Sequence, residues 1–143
     1  MKKTLRILAF ALVAVMVVAV FASCSSFGAI KKNFEEAGYT LKETDDESNK
    51  IVASLEEGDI SVTAHRFVKE DGGLLGSLGV SYNALVLEFG SDKDMQKALA
   101  ENEEVKAYIQ DAQNSKFVRG NCVLIPLSIL KADEMLEVFN KGK

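Results

Sequence analysis

The chain has 143 residues, with 17 basic and 21 acidic side chains, one histidine and two cysteines. Three of the basic residues, Lys2, Lys3 and Arg6, precede residue 24 and no acid does, so the remainder holds 14 basic against 21 acidic side chains, a net charge of −7. That argues against nucleic acid as a partner and against charge-driven adhesion to an anionic membrane, and two cysteines are too few for a disulfide framework, so a hydrophobic core must hold the roughly 120 remaining residues together.

The first element is MKKTLRILAFALVAVMVVAVFASC. A basic end precedes an apolar run from Ile7 to Ala22, and Ser23-Cys24 follow. As a helix that run would be roughly 24 Å long, short of the ~30 Å hydrocarbon layer. Basic end, apolar core and small-residue cleavage site are the parts of an export signal. Phe21-Ala22-Ser23-Cys24 resembles the lipobox of bacterial lipoprotein precursors, with Phe21 where that family usually has leucine. The resemblance implies that residues 1–23 are removed as a signal peptide, that the bond between Ser23 and Cys24 is cut, and that Cys24 carries a thioether-linked diacylglycerol. It implies a protein held by lipid on the extracytoplasmic face of the cell membrane. An uncleaved membrane anchor and ordinary secretion are the alternatives. Residues 24–26 would then be the lipidated cysteine and a very short linker, and residues 27–143 a single small domain.

In that domain Phe27, Ile30, Phe34 and Ala37 fall at helical spacing, and Gly38 suits the helix end. Tyr39 to Lys42 alternates as a short strand. Residues 43–50 read as a polar turn, and Ile51, Ala53 and Leu55 as a second strand. Ile60, Val62, Ala64 and Val68, with Arg66, share one face of a longer strand. A glycine-rich loop, Asp71 to Gly79, separates it from a strand over Ser81 to Phe89. There Leu85, Leu87 and Phe89 face one way, and Tyr82, Ala84 and Val86 the other.

Ser91 is a fitting cap for a helix with acids in its first turn. Met95, Leu99, Val105, Ile109 and Ala112 form its stripe, and Asn102 interrupts it with a kink or break. Gly120-Asn121 fits a two-residue hairpin turn, and Cys122-Val123-Leu124-Ile125 a strand buried on both faces. Ser128 caps a last helix with Leu130, Met135, Leu136 and Phe139 inward, ended by Gly142. These elements predict an α+β fold: a mostly antiparallel sheet of five or six strands with helices packed on one face. The arrangement is vaguely ferredoxin-like, a likeness that implies no function.

Candidate chemistry is sparse. His65 is the only histidine and shares its strand face with Ser61, Thr63, Phe67 and Lys69. A histidine-based zinc site lacks its ligands. Cys122 begins a very apolar strand, as a buried structural cysteine does; with His65 it is the only possible thiol–imidazole pair. The serines have no G-x-S-x-G elbow. The acidic run Asp45-Asp46-Glu47-Ser48-Asn49 lacks the spaced ligands of a calcium loop and reads as a solvated turn. Gly72, Gly73, Gly76 and Gly79 precede a strand, and no Gly-Lys-Ser/Thr follows, so a phosphate loop fails. What remains there is Leu74, Leu75 and Leu78, either a contact loop or side chains that fold down onto the core.

The sequence therefore predicts no metal, no cofactor and no catalytic constellation. The expected function is a lipid-anchored envelope protein acting as a small binding or interaction module, with an envelope protein as its partner. The alternative is a small envelope enzyme using Cys122 and His65, which requires the two within hydrogen-bond reach. A two-lobed solute-binding lipoprotein needs more chain than this.

Overall fold

The computed structural model describes residues 26–108 and 115–143. The expected signal, Ser23 and Cys24 lie outside the described residues, as do Ile109 and Ala112.

Helix α1 spans Phe27–Glu36 and buries Ile30 and Phe34, four apart on one face. It closes where Gly38 N–H donates to Glu35 O and Tyr39 N–H to Phe34 O. Strand β1 is Thr40–Lys42. The next element corrects the sequence reading. Residues 43–50 are not simply a turn, and Ile51 to Leu55 is not a strand: Asp46–Glu57 is one helix, α2. Asp45 starts it, accepting from Ser48 N–H at 2.9 Å and from Ser48 Oγ–H at 2.7 Å. Asp46 and Glu47 occupy the first turn, where the helix dipole favours acids. Buried Ser48, Ile51 and Leu55 make a stripe at helical spacing. The alternation of Ile51, Ala53 and Leu55 fits a strand only when Ser48 is left out of the pattern.

Strand β2 is Val62–Glu70, helix α3 the single turn Leu74–Ser77, and strand β3 Ser81–Phe89. Helix α4, Asp92–Glu101, is capped by Ser91 Oγ, which accepts from Asp94 N–H. The break falls at Asn102, whose side chain accepts from Val105 N–H and so starts helix α5, Glu103–Tyr108. A 3-10 turn, Ser115–Phe117, leads to β4, Val118–Arg119, and through Gly120-Asn121 to β5, Cys122–Pro126. Helix α6 is Ala132–Asn140. Ser128 does not cap it: Lys131 precedes the helix in the left-handed region, and Ser128 Oγ accepts from Asn83 N–H instead. Met135 and Phe139 are buried as expected, whereas Leu130 lies outside the helix and is exposed.

The five strands form one antiparallel sheet in the order β1-β2-β3-β5-β4, an α+β fold. That order is not the βαββαβ succession of a ferredoxin-like sandwich, and helices cover both faces rather than one. On one face Leu85, Leu87, Phe89, Val123 and Ile125 pack against Ile51 and Leu55 of α2, Met95 and Leu99 of α4 and Val105 of α5. On the other, Phe67, Tyr82, Val86, Cys122 and Leu124 pack against Ile30 and Phe34 of α1 and Met135 and Phe139 of α6. Each fully buried side chain of this size contributes roughly 1.5–3 kcal/mol of transfer free energy. Two-sided cover explains why Cys122 to Ile125 read as an unbroken apolar run: all four are fully buried.

Candidate functional site

The residues singled out by chemistry fall at opposite ends of β3. At its C-terminal end lie the Gly120-Asn121 turn, with Phe89 N–H donating to Asn121 O at 2.9 Å, and Ser26, which sits against Gly120. At its N-terminal end lie the Asp71–Val80 hairpin loop and the chain leaving β5, where Leu127 and Ser128 N–H both donate to Asn83 O. Nine residues of β3 separate the ends, roughly 30 Å at strand rise.

The Gly120 end holds His65, Glu88 and Cys122 on the α1/α6 face. His65 is in register with Val86, and Cys122 with Glu88. His65 and Cys122 therefore share a face with β3 between them and two residues of register between their partners, which sets their backbones roughly 12 Å apart. His65 Nε2 lies 3.3 Å from Glu88 Oε1, and its ring stacks on Phe27 with centroids 3.7 Å apart. Burial lowers the His65 pKa; Glu88 opposes that shift and Lys31 adds to it. Cys122 is fully buried, and its Sγ lies 3.7 Å from Asn121 Oδ1. The diagonal His65–Glu88 pair needed the strand register, which spacing in the sequence does not supply.

The acidic run is absorbed by folding. Burial raises the Asp45 carboxyl, but the Ser48 hydrogen bonds and then Arg66 outweigh it and hold it below its ordinary value. Arg66 Nε is 3.3 Å from Asp45 Oδ2 and also donates to Asn83 Oδ1 at 3.0 Å. An open groove of about 430 Å³ beside this helix start is lined by Asp46, Glu47, Lys50, Ile51 and Glu104. Among the described residues no group of three or more His, Cys, Asp or Glu side chains is placed to hold a metal ion.

The other end is organised by Asp71. Its Oδ1 accepts from Tyr82 O–H at 2.7 Å, and its Oδ2 accepts from Gly73 N–H at 3.0 Å and Gly76 N–H at 3.2 Å. The Tyr82 hydroxyl, then these N–H groups, hold Asp71 below the ordinary carboxylate value, and Asp71 in turn raises Tyr82. The loop is a built turn, packed so closely that a Cβ on Gly76 would overlap the Asp71 carbonyl. Its leucines do not fold onto the core. Leu74, Leu75 and Leu78 are 82%, 43% and 75% exposed.

Sequence reasoning missed two further members of this end. Ile129 is 96% and Leu130 61% exposed, on the connection from β5 to α6. Lys131 ties that connection to the hairpin, its Nζ 5.9 Å from the Tyr82 ring centroid and 3.4 Å from Glu134 Oε2. Glu134 also accepts from Lys69 Nζ at 2.8 Å, which holds its carboxyl below the usual range. Beside this pair the Tyr39 hydroxyl is buried with no hydrogen-bond partner among the described residues. Burial, then Glu134, push its pKa up to about 12, so it is a neutral phenol at physiological pH.

No helix among the described residues is long and apolar enough to cross a membrane. No known protein-family model, curated protein or solved structure matches this chain.

Proposed function

We propose that this chain is a lipid-anchored cell-envelope protein, a small interaction module on the extracytoplasmic face that presents the Leu74, Leu75 and Leu78 loop to a protein partner. One observation carries the binding role: three leucines stay in water on a turn whose backbone is held by the Asp71 carboxylate. Exposed leucines on a slack loop could retreat by rearrangement, whereas leucines on a hydrogen-bonded turn stay displayed. Contiguous exposed apolar surface of this kind marks interaction sites in soluble domains. The anchor rests on the Phe21-Ala22-Ser23-Cys24 pattern after a basic end and an apolar core. Two acyl chains hold a protein stably at a bilayer where one does not.

Intact-mass measurement of chain extracted from membranes tests the anchor. The expected mature chain begins at Cys24 and carries a diacylglycerol, and Cys24→Ala loses both lipid and membrane retention. A mature chain beginning elsewhere, or a Cys24→Ala variant that stays lipid-modified, overturns the anchor. Leu74→Cys and Leu78→Cys thiols that resist maleimide labelling in the folded, isolated protein, as on a collapsed loop, overturn the display.

A further inference from the structure

We infer that the leucine loop is half of a larger docking surface, completed by Ile129 and Leu130, and that its occupant is an amphipathic helix of another envelope protein, apolar along one side and basic along its flanks. The inference deepens the interaction-module reading and takes the position of the anchor from it.

The two halves are tied to one another through the groups between them. Leu127 and Ser128 N–H bond to Asn83 O, Asn83 N–H bonds to Ser128 Oγ, and Lys131, Tyr82 and Asp71 follow one another across the gap between the loops. Five of the six exposed large apolar side chains among the described residues thus gather at one end of the sheet, and only Leu41, on β1, lies apart. Five such side chains expose several hundred Å², at the upper end of the ~300–600 Å² that a monomer leaves in its largest patch. With a polar rim, that approaches the ~800 Å² that one partner contributes to a stable interface.

Charge and direction choose the occupant. Glu70, Asp71, Asp133 and Glu134 border the patch against Lys69 and Lys131, and both lysines already pair with Glu134. The rim is net acidic, on a domain that is itself acidic, so a basic-flanked partner is attracted while a second copy and anionic lipid are repelled. Ser26, two residues from the anchoring cysteine, lies against Gly120 at the far end of β3. A two-residue linker reaches less than ~10 Å, so the patch, roughly 30 Å away along β3, points away from the bilayer that holds the anchor. Two copies standing on one membrane cannot bring these ends face to face. A helix with apolar residues at i, i+3, i+4 and i+7 lays a matching stripe across a patch built from two adjacent loops.

The test uses the full chain, purified from membranes into zwitterionic phosphatidylcholine nanodiscs and labelled with bimane through Ser77→Cys. The probe is an amphipathic leucine–lysine peptide of about five helical turns, and the control has the same leucines with glutamate in place of lysine. The expected result is a saturable blue shift with the lysine peptide, weakened by added salt and absent with the glutamate peptide. Leu74→Ser with Leu78→Ser and Ile129→Ser should weaken binding at least about tenfold, as removal of central apolar anchors does. Should that variant melt without cooperativity, Ile129→Ser alone, at a side chain almost wholly in solvent, is expected to weaken binding severalfold. Equal binding by the glutamate peptide, or affinity unchanged by these substitutions, overturns the inference. So does a label already shielded in single-copy discs without peptide, which means lipid, or one shielded only in two-copy discs, which means a second copy. Lipid found on Cys24 together with leucine-independent binding sinks this inference and leaves the anchor standing. Absence of lipid, with leucine-dependent binding to the same chain in detergent, sinks the anchor and leaves the patch.

Discussion

The two ends of β3 invert the usual placement of side chains. At the Gly120 end a histidine and a carboxylate are drawn in beneath an aromatic ring, with His65 and Glu88 side chains only 17% and 25% exposed. At the hairpin end a satisfied carboxylate braces a turn that pushes leucines outward. The difference teaches that exposure here follows the available cover, not residue type. Phe27 at the start of α1 reaches over the first end, and among the described residues no helix covers the leucines of the second. Both ends share the core face of Phe67, Leu124 and Met135, so stability joins them even though their surfaces differ.

The substitution that breaks the comparison most severely is made in that shared face. Cys122→Asp leaves an uncompensated charge among fully buried neighbours and should cost about 3–5 kcal/mol, collapsing both ends together. Cys122→Ala should cost on the order of 1 kcal/mol. Urea melts of the two variants give the ranking. The reverse order, or fast maleimide labelling of the native thiol that slows on replacing His65, would favour a catalytic cysteine.

Next come the two turns, each with a glycine that a methyl group would disturb. Gly76→Ala drives a Cβ into the Asp71 carbonyl, a backbone obstacle, and should cost about 1–3 kcal/mol as overpacking does. Hydrogen exchange should then rise at Gly73 and Gly76 while Phe89, whose N–H donates to Asn121 O, stays protected. Gly120→Ala is strained by its φ of +60° and meets Ser26, a side chain that can swing aside. It should cost about 1–2 kcal/mol and loosen only the other end.

Acid should then separate the ends in sequence. His65 has a lowered pKa in the fold, so the native state holds fewer protons than the unfolded chain. Its contribution is present above the ordinary value of 6.5 and is lost as pH falls through the folded pKa. Asp71 is also lowered, but from 3.8, so its contribution disappears only in stronger acid. Amide exchange measured against pH should show the Gly120 end opening first and the leucine loop second. His65→Gln should abolish the first step alone, and a single transition in which both ends open together would contradict the separation.

The smallest effect is expected at the most conspicuous side chains. Leu74→Ser and Leu78→Ser should change stability by no more than about 0.5 kcal/mol, because neither side chain is covered in the folded domain. A clear loss of melting temperature would mean that the leucines pack where they are now read as displayed.

Much of the scaffold was legible because its rules are short-range. Ile30 with Phe34, the two faces of Ser81 to Phe89, the Ser91 cap, the break at Asn102 and the Gly120-Asn121 hairpin all follow from neighbours within a few positions. The errors came where two local patterns competed. Ile51, Ala53 and Leu55 satisfy a strand, but Asp45 and Ser48 satisfy a helix start, and α2 can bury Ile51 with Leu55 against the sheet. Ser128 looked like a cap because it precedes an apolar stripe, yet its hydroxyl was claimed by Asn83, 45 residues earlier. That misplaced cap drew Leu130 into a helix and hid the second half of the patch.

The sequence by itself determined the acidic balance, the alternation of the long strands, the apolar run at Cys122 and the Ser91 cap, because each depends on composition or on contacts within a turn of backbone. Only the tertiary structure decided that helices cover both faces of the sheet, that Glu88 lies beside His65, and that Leu74, Leu75 and Leu78 stay in water beside Ile129 and Leu130. A leucine carries the same transfer free energy wherever it stands in the chain. Whether that energy is realised depends on another element arriving to cover it, and arrival is a property of strand register and loop geometry across dozens of residues.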